Sequence, residues 1–307
     1  MQRATEQPRV LMISPVRNEA AHIGRVVAAV HAQELKPARW IVIDDGSGDD
    51  TLAQLRELER KVPFLTVLQA PAGGLAADSP DRLARAVEVR NFNFALAEAQ
   101  WDAADHPDYR YTHVMKLDGD VELPREYLRV LLERFAENAS LGLAGGVLVE
   151  PTASGMRKIR IPHYHVHGAL KCYTRACFEA IGGIQERLGW DTIDETYARM
   201  RGYSTHSFAD LVSVHHRPLA SADGALRGHA RHGECAYIAH YGPVWVTLRS
   251  LKVARRSPLG VSGIAFLWGY ARAALRRTEQ VADPEYRMFT RRELRRRLLR
   301  RGPVGAQ

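Results

Sequence analysis

The sequence predicts an α/β fold: a mixed, mostly parallel sheet flanked by helices, with a helical C-terminal region. Three observations predict it. Short apolar runs at Val10 to Ser14, Trp40 to Ile43 and Phe64 to Leu68 alternate with stretches whose apolar residues recur at helical spacing. That β-α-β-α-β order implies right-handed crossovers and parallel strands. Acidic turns, Asp44-Asp45-Gly46-Ser47 and Asp118-Gly119-Asp120, follow two apolar runs, placing carboxylates at the sheet edge where such folds bind ligands.

The elements follow in order. After the first run, Pro15 to Glu19 reads as a loop, and Asn18 is placed to cap a helix carrying Ile23, Val26, Val27 and Val30. The second run leads through its acidic turn to a helix near Asp50 with Leu52, Leu55 and Leu58 on one face. Ala70 to Asp81 is a loop, Ala84 to Gln100 a helix bearing Arg90-Asn91, and Asp102 to Tyr111 a polar connection. Val114 to Leu117 is a strand delivering Asp118 and Asp120. On a straight strand these two side chains would share a face, and Gly119 removes a side chain from the turn. Pro124 opens a helix whose apolar face is Tyr127, Leu128, Leu131, Leu132 and Phe135. Leu143 to Val149 is a strand and Pro151 to Pro162 a loop with Arg157, Lys158 and Arg160. A short helix from Arg175 to Ile181, a Gly182-Gly183 turn and a helix ending near Gly202 come next. Leu211 to Val214 is a strand delivering His215-His216-Arg217.

Composition excludes several classes. With 46% hydrophobic and 25% charged residues in 307, the chain has the make-up of a soluble protein with a sizeable core. No signal peptide and no spanning helix are expected, since no uninterrupted apolar run reaches about 18 residues. Three cysteines without metal spacing suggest reduced thiols and a cytoplasmic location. Charge is uneven: Arg217 to Arg301 holds 18 Lys and Arg against 6 Asp and Glu. Such a tail calls for an anionic partner.

Paired carboxylates such as Asp118 and Asp120 suit Mg or Mn, whose shell is completed by substrate phosphates; the plain alternative is an acidic turn. Asp44 and Asp45 could meet a ribose or base, or simply form a turn and helix cap.

Taken together, the chain resembles glycosyltransferase family 2, with its GT-A (Rossmann-like) fold, of the bacterial polysaccharide-assembly type. The resemblance is carried by Ile13 to Glu19, by Ile41 to Ser47 with Asp49 and Thr51, by Arg90-Asn91, and by Lys116 to Asp120. It continues through Tyr173-Thr174-Arg175 and Phe178 to Gly183, and covers roughly residues 9 to 217. It implies an inverting, metal-dependent transfer of a sugar from a nucleotide-diphospho-sugar to an acceptor hydroxyl, with Mn or Mg as cofactor. By position it implies donor binding by Pro15, Arg17, Glu19, Asp44, Asp45, Arg90 and Asp118. It places the metal on Asp120, with Asp118 and with His215 or His216, only one of which can face it from a strand. Arg217 is a further candidate for the diphosphate, and the basic loop for a lid.

Members often place a Glu-Asp pair before a helix to supply the base. Here the pair is Trp190-Asp191, so the Glu is absent. Asp191 is the implied base, in a partly apolar setting, with Asp194 and Glu195 as competitors; alternatively Asp191 caps the helix.

The expected layout is a catalytic domain over residues 1–217 and a basic helical region over residues 218–307. In the tail, Val244, Leu248, Leu251 and Val253 alternate with cations, and Leu259 to Leu275 carries Trp268 and Tyr270. This reads either as a helix lying on an anionic membrane surface or as a pair packed on the catalytic domain. The resemblance implies a glycan or lipid-linked acceptor in polysaccharide assembly, with the protein peripheral on the inner face of the cell membrane. One rival is a sugar-nucleotide pyrophosphorylase, which would want a Gly-rich phosphate loop where Pro15 to Glu19 stands. Another is a nucleic-acid or membrane-surface adaptor. The tail lacks the interleaved aromatics that stack on bases, so no nucleic-acid partner is expected.

Overall fold

The computed structural model describes residues 7–71, 86–105, 110–152, 155–217, 224–255 and 259–299. Strands β1 (Val10–Val16), β2 (Arg39–Asp44) and β3 (Leu65–Gln69) are parallel neighbours linked through α1 (Ile23–His31) and α2 (Thr51–Glu59). Helix α3 (Val87–Asp105) precedes β4 (His113–Leu117), which pairs in parallel with the other side of β1. Then follow β5 (Val121–Glu122), α4 (Tyr127–Glu137), β6 (Leu141–Thr152), β7 (Gly155–Lys158), β8 (Leu170–Thr174), α5 (Arg175–Ala180), α6 (Trp190–Met200) and β9 (Ser204–His215). The sheet runs β3-β2-β1-β4-β8-β6-β9-β5, with β7 paired to β6. Strand β8 is antiparallel to β4 and β6, whereas β6 and β9 are parallel. Helices α7 (Ala225–Ile238), α8 (Pro243–Val253), α9 (Val261–Leu275) and α10 (Pro284–Leu298) complete the chain.

The period of two along β1 divides the core. Val10 and Met12 join the cluster under α1 and α4, while Leu11 and Ile13 join the cluster under α3, α5 and α6. All five apolar residues expected on α4 are buried. Each such burial contributes about 1.5–3 kcal/mol for a large side chain. Ile238, Val281 and Tyr286 of the C-terminal region join the second cluster, so the tail helices share a core with the sheet.

Four local expectations are corrected. Asn18 caps no helix: it sits at φ 54°, and its side chain accepts from the Gly48 amide at 2.8 Å. Asn tolerates that left-handed backbone, and the loop-to-loop bond uses its amide instead. The helix through Arg90 extends to Asp105 into the expected connection. Met156, Arg157 and Lys158 pair with β6 as a hairpin rather than lying in a loop. Asp118 and Asp120 do not share a straight strand, because β4 stops at Leu117 and the chain turns at Gly119-Asp120. The loop beyond residue 71, the boundary at Pro218, and Arg256, Arg300 and Arg301 lie outside the described residues.

Close approach of β6 and β9 requires Gly146, where a Cβ would come 2.2 Å from the Leu211 carbonyl oxygen. Gly146→Ala is therefore expected to lower stability by about 1–3 kcal/mol. An unchanged thermal midpoint would contradict this packing.

Candidate functional site

The loops after β1 and β2 are stitched together. The Asn18 amide donates to Ser47 Oγ at 3.0 Å, the Glu19 amide to Thr51 Oγ1 at 2.8 Å, and the Ala20 amide to Asp49 Oδ2 at 3.2 Å. Asp44 is buried and accepts from the Ser47 amide and hydroxyl, so its carboxylate shapes the turn. Asp45 and Pro15 stand half-buried at the rim, and Arg17 donates to the Asp45 carbonyl at 3.3 Å. Gly119 fits beneath this loop: a Cβ there would lie 2.6 Å from Val16 Cγ1 and 3.2 Å from Glu19 Cγ.

This packing brings Glu19, Asp120, His215 and Arg217 together. His215 Nε2 lies 3.5 Å from Asp120 Oδ1, and Arg217 Nη2 lies 2.7 Å from Glu19 Oε2. Burial would push Asp120 up, but the neighbouring His215 and Arg217 hold it below the usual carboxylate range. Burial, then the Asp120 charge, push Glu19 up to about 8. Arg217 opposes this, but it is 42% exposed and its charge is screened. Of the two histidines, His215 faces Asp120. His216 instead bonds Glu122 at 2.8 Å and stacks on His22.

Asp120 and His215 fit a divalent cation. Behind His215, its Nδ1 lies 3.6 Å from Glu150 Oε1, a nearby carboxylate beyond hydrogen-bond reach. Among the described residues no group of three or more His, Cys, Asp or Glu is preassembled for a metal. Two protein ligands are in keeping with ions that take substrate phosphates for the remainder. Asp118, about a third exposed, is held by the Lys116 ammonium instead.

The other side is built on Lys171, which is fully buried. Its ammonium donates to Asp194 Oδ1 at 2.8 Å and Oδ2 at 3.0 Å, and to the Asp191 carbonyl. Burial would lower Lys171, but Asp194 and Glu195 hold it charged. Asp194 also accepts from the Tyr173 hydroxyl. Glu195 accepts from the Val166 amide at 2.7 Å and pairs with His165 at 3.0 Å. Both competitors for the base are thus consumed in a closed network. Asp191 remains half-buried on the first turn of α6, and its carboxylate makes no hydrogen bond among the described residues. Gly189, at φ 82°, is the N-cap residue, so Asp191 does not cap the helix.

Trp190, standing where the family Glu is expected, joins the two sides. Lys116 Nζ and Lys171 Nζ lie 5.3 and 5.4 Å from its ring centroid. Such cation–π contacts contribute more when desolvated. Its indole donates to Glu88 at 3.2 Å. Lys116 also donates to the Gly168 carbonyl at 3.2 Å, and a Cβ on Gly168 would lie 3.4 Å from Asp191 Cβ. The Asp118 and Asp191 sides therefore converge on Gly168 and Trp190. Arg90 is paired with Glu186 at 3.3 Å. Arg157 of the hairpin pairs with Glu150 at 2.9 Å, and Lys158 donates to the Ala209 carbonyl at 3.2 Å.

Sequence reading missed Glu150, Lys171 and Glu88, and gave Lys116 no role beyond its place in the motif. Lys116 and Lys171 interrupt otherwise apolar strands, a signal that buried partners await them. Glu150 ends an apolar run in the same way.

The Glu195 network predicts a pH response. Burial would raise this carboxyl, but His165 and Lys171 outweigh it and hold it at about 2 against an ordinary 4.5. A lowered carboxylate contributes stability that is present above pH 4.5 and lost as pH falls through 2. Thermal midpoints of the wild type and Glu195→Gln should differ at pH 7 and converge below pH 4.5. A gap that stays constant into acid would contradict the pairing.

The comparisons agree with this fold. Residues 12–78 match the family model for Glycosyl transferase family 2. No curated protein matches the chain significantly in sequence. Mannosyltransferase PcManGT from Pyrobaculum calidifontis, solved with GDP-Man and Mn2+, is 18% identical, with a TM-score of 0.55 over 97% of this chain and 88% of that one. S. aureus TarS 1-349, solved with UDP-GlcNAc, is 16% identical, with a TM-score of 0.52 over 86% of this chain and 71% of that one. The chain has the GT-A glycosyltransferase fold and resembles glycosyltransferase family 2.

Proposed function

We propose that this protein is an inverting glycosyltransferase that moves a sugar from a nucleotide-diphospho-sugar to an acceptor hydroxyl. One observation carries the reading. Lys116 bonds both Asp118 and the Gly168 carbonyl, Gly168 lies against Asp191, and Lys116 and Lys171 both sit over the Trp190 ring, which draws the Asp118 and Asp191 sides together. Support comes from the family match and from fold relatives solved with GDP-Man or UDP-GlcNAc.

Asp120 and His215 would hold Mn or Mg, with Asp118 close by. Bound there, the cation offsets the charge that builds on the leaving diphosphate. Arg217, beside Glu19 and Asp120, adds a positive charge on the same side. Pro15, Arg17, Glu19 and Asp45 line the nucleotide end, with Asp44 fixing the turn. Asp191 takes the proton of the acceptor hydroxyl as its oxygen attacks the anomeric carbon. Attack opposite the leaving diphosphate inverts that carbon. Lys171 holds the Asp191 backbone, and Asp194 and Glu195 hold Lys171. The hairpin with Arg157 and Lys158, with Arg160 following it, closes over the donor as a lid.

The acceptor is a lipid-linked glycan in polysaccharide assembly, used at the inner face of the cell membrane with the protein peripheral on it. The exposed cationic residues of the tail support this part of the reading. Among the described residues no helix is long and apolar enough to cross a membrane.

Asp191→Asn is expected to lower kcat by about 10²–10⁴-fold, the range for losing a general base, with donor KM little changed. Turnover is read as nucleoside diphosphate released from a panel of nucleotide sugars. Near wild-type turnover in Asp191→Asn would remove Asp191 from this role.

A further inference from the structure

Helix α9 is packed inside-out. Its buried positions are Ser262, Gly263, Phe266, Gly269 and Ala273, only one of them large. At Gly269 a Cβ would come 1.8 Å from the Ala230 carbonyl oxygen on α7. At Gly263 it would come 2.7 Å from the Ser250 carbonyl oxygen on α8. Small residues thus bring helix backbones together, as they do between helices in lipid. The large apolar residues face outward instead. Val261, Ile264, Leu267, Trp268 and Leu275 are all exposed, Ile264 at 67% and Trp268 at 59%. At about 100° per residue they fall on one arc of the helix. Helix α8 adds Val244, Leu248 and Leu251, exposed at successive helical turns. Exposed apolar arcs on two helices packed against each other mark a docking surface.

Charge identifies the occupant. Neither α8 nor α9 contains an Asp or Glu. Lys252, Arg255, Arg272 and Arg276 are exposed on or just beyond the same helices. A second copy docking here would set cations against cations, whereas anionic headgroups complement them. The amphipathic ring of Trp268 suits headgroup depth. With 15 residues, α9 is roughly 22 Å long and falls short of a hydrocarbon core of about 30 Å, so it fits the interface plane.

We infer that the exposed apolar face of α8 and α9 seats the protein on an anionic membrane surface. This deepens the lipid-linked acceptor reading and rests on it for its purpose, although the contact itself does not depend on catalysis. The test is flotation of the full chain with vesicles of phosphatidylcholine alone or mixed with phosphatidylglycerol. The protein should float with the mixed vesicles only. Binding should fall at least about tenfold in Ile264→Asn/Trp268→Ser and in Lys252→Glu/Arg255→Glu. Nucleoside diphosphate release in solution should be unchanged in both, since all four side chains are exposed. Failure of the wild type to bind mixed vesicles while it turns over donor would overturn the inference alone. So would undiminished binding by both variants, or a dimer in light scattering that Ile264→Asn/Trp268→Ser abolishes without any vesicle binding. Vesicle binding by a protein that turns over no nucleotide sugar would support the docking face and overturn the catalytic reading.

Discussion

One buried ammonium, that of Lys171, organises the Asp191 side of the molecule. Removing a charge from water costs several kcal/mol and is tolerated only where partners are close and well aligned. Here Asp194, Glu195 and the Asp191 carbonyl supply those partners. The requirement propagates outward. Asp194 takes the Tyr173 hydroxyl from β8, and Glu195 takes the Val166 amide and His165 from the segment before it. Arg199, further along α6, pairs with Glu293 of α10 at 2.6 Å. The sheet, the helix behind the site and the last helix are thereby tied through buried ionic contacts. Among the described residues Asp191 is left as the carboxylate of this group without a hydrogen-bond partner, with its backbone held in place.

The Asp120 side rests on a different device, hydrogen bonds between two loops. Asn18 and Asp49 each bond backbone amides across the gap between the β1 and β2 turns. Gly119 then tucks under the first loop, which sets Glu19 beside Asp120. The two devices meet at Trp190, whose ring takes one ammonium from each side. Replacing the carboxylate expected at that position by an indole removes a negative charge from the site. It adds a rigid apolar wall with cations over its ring.

The first three parallel strands, the α4 face and the Gly182-Gly183 turn were legible because they rest on periodicity and on glycine conformation, whereas β5, β7 and β8 were not read as strands. Both glycines do adopt positive φ. The motif residues Asp118, Asp120, Asp191 and His215 were legible as candidates through a family resemblance. Their partners were not. Nothing local says that Lys171 reaches α6 or that Glu150 sits behind His215, because those contacts span 23 and 65 positions in the chain. Tertiary context also decided the misread pieces. Asn18 could cap a helix by composition, but the neighbouring loop offered the Gly48 amide first. The Arg157 hairpin formed because β6 presented an open edge to it. Asp194 and Glu195 could not be told from Asp191 until burial separated them.

The central claim is that the Asp120 edge holds a nucleoside diphosphate through a divalent cation. The most direct measurement is the thermal midpoint with UDP, GDP or dTDP, each with and without Mn, since a ligand bound only by the folded chain raises the midpoint by mass action. A shift with one base that needs Mn and disappears in Asp120→Ala is the predicted result. No shift with any of them, or a shift of equal size in Asp120→Ala, would contradict it.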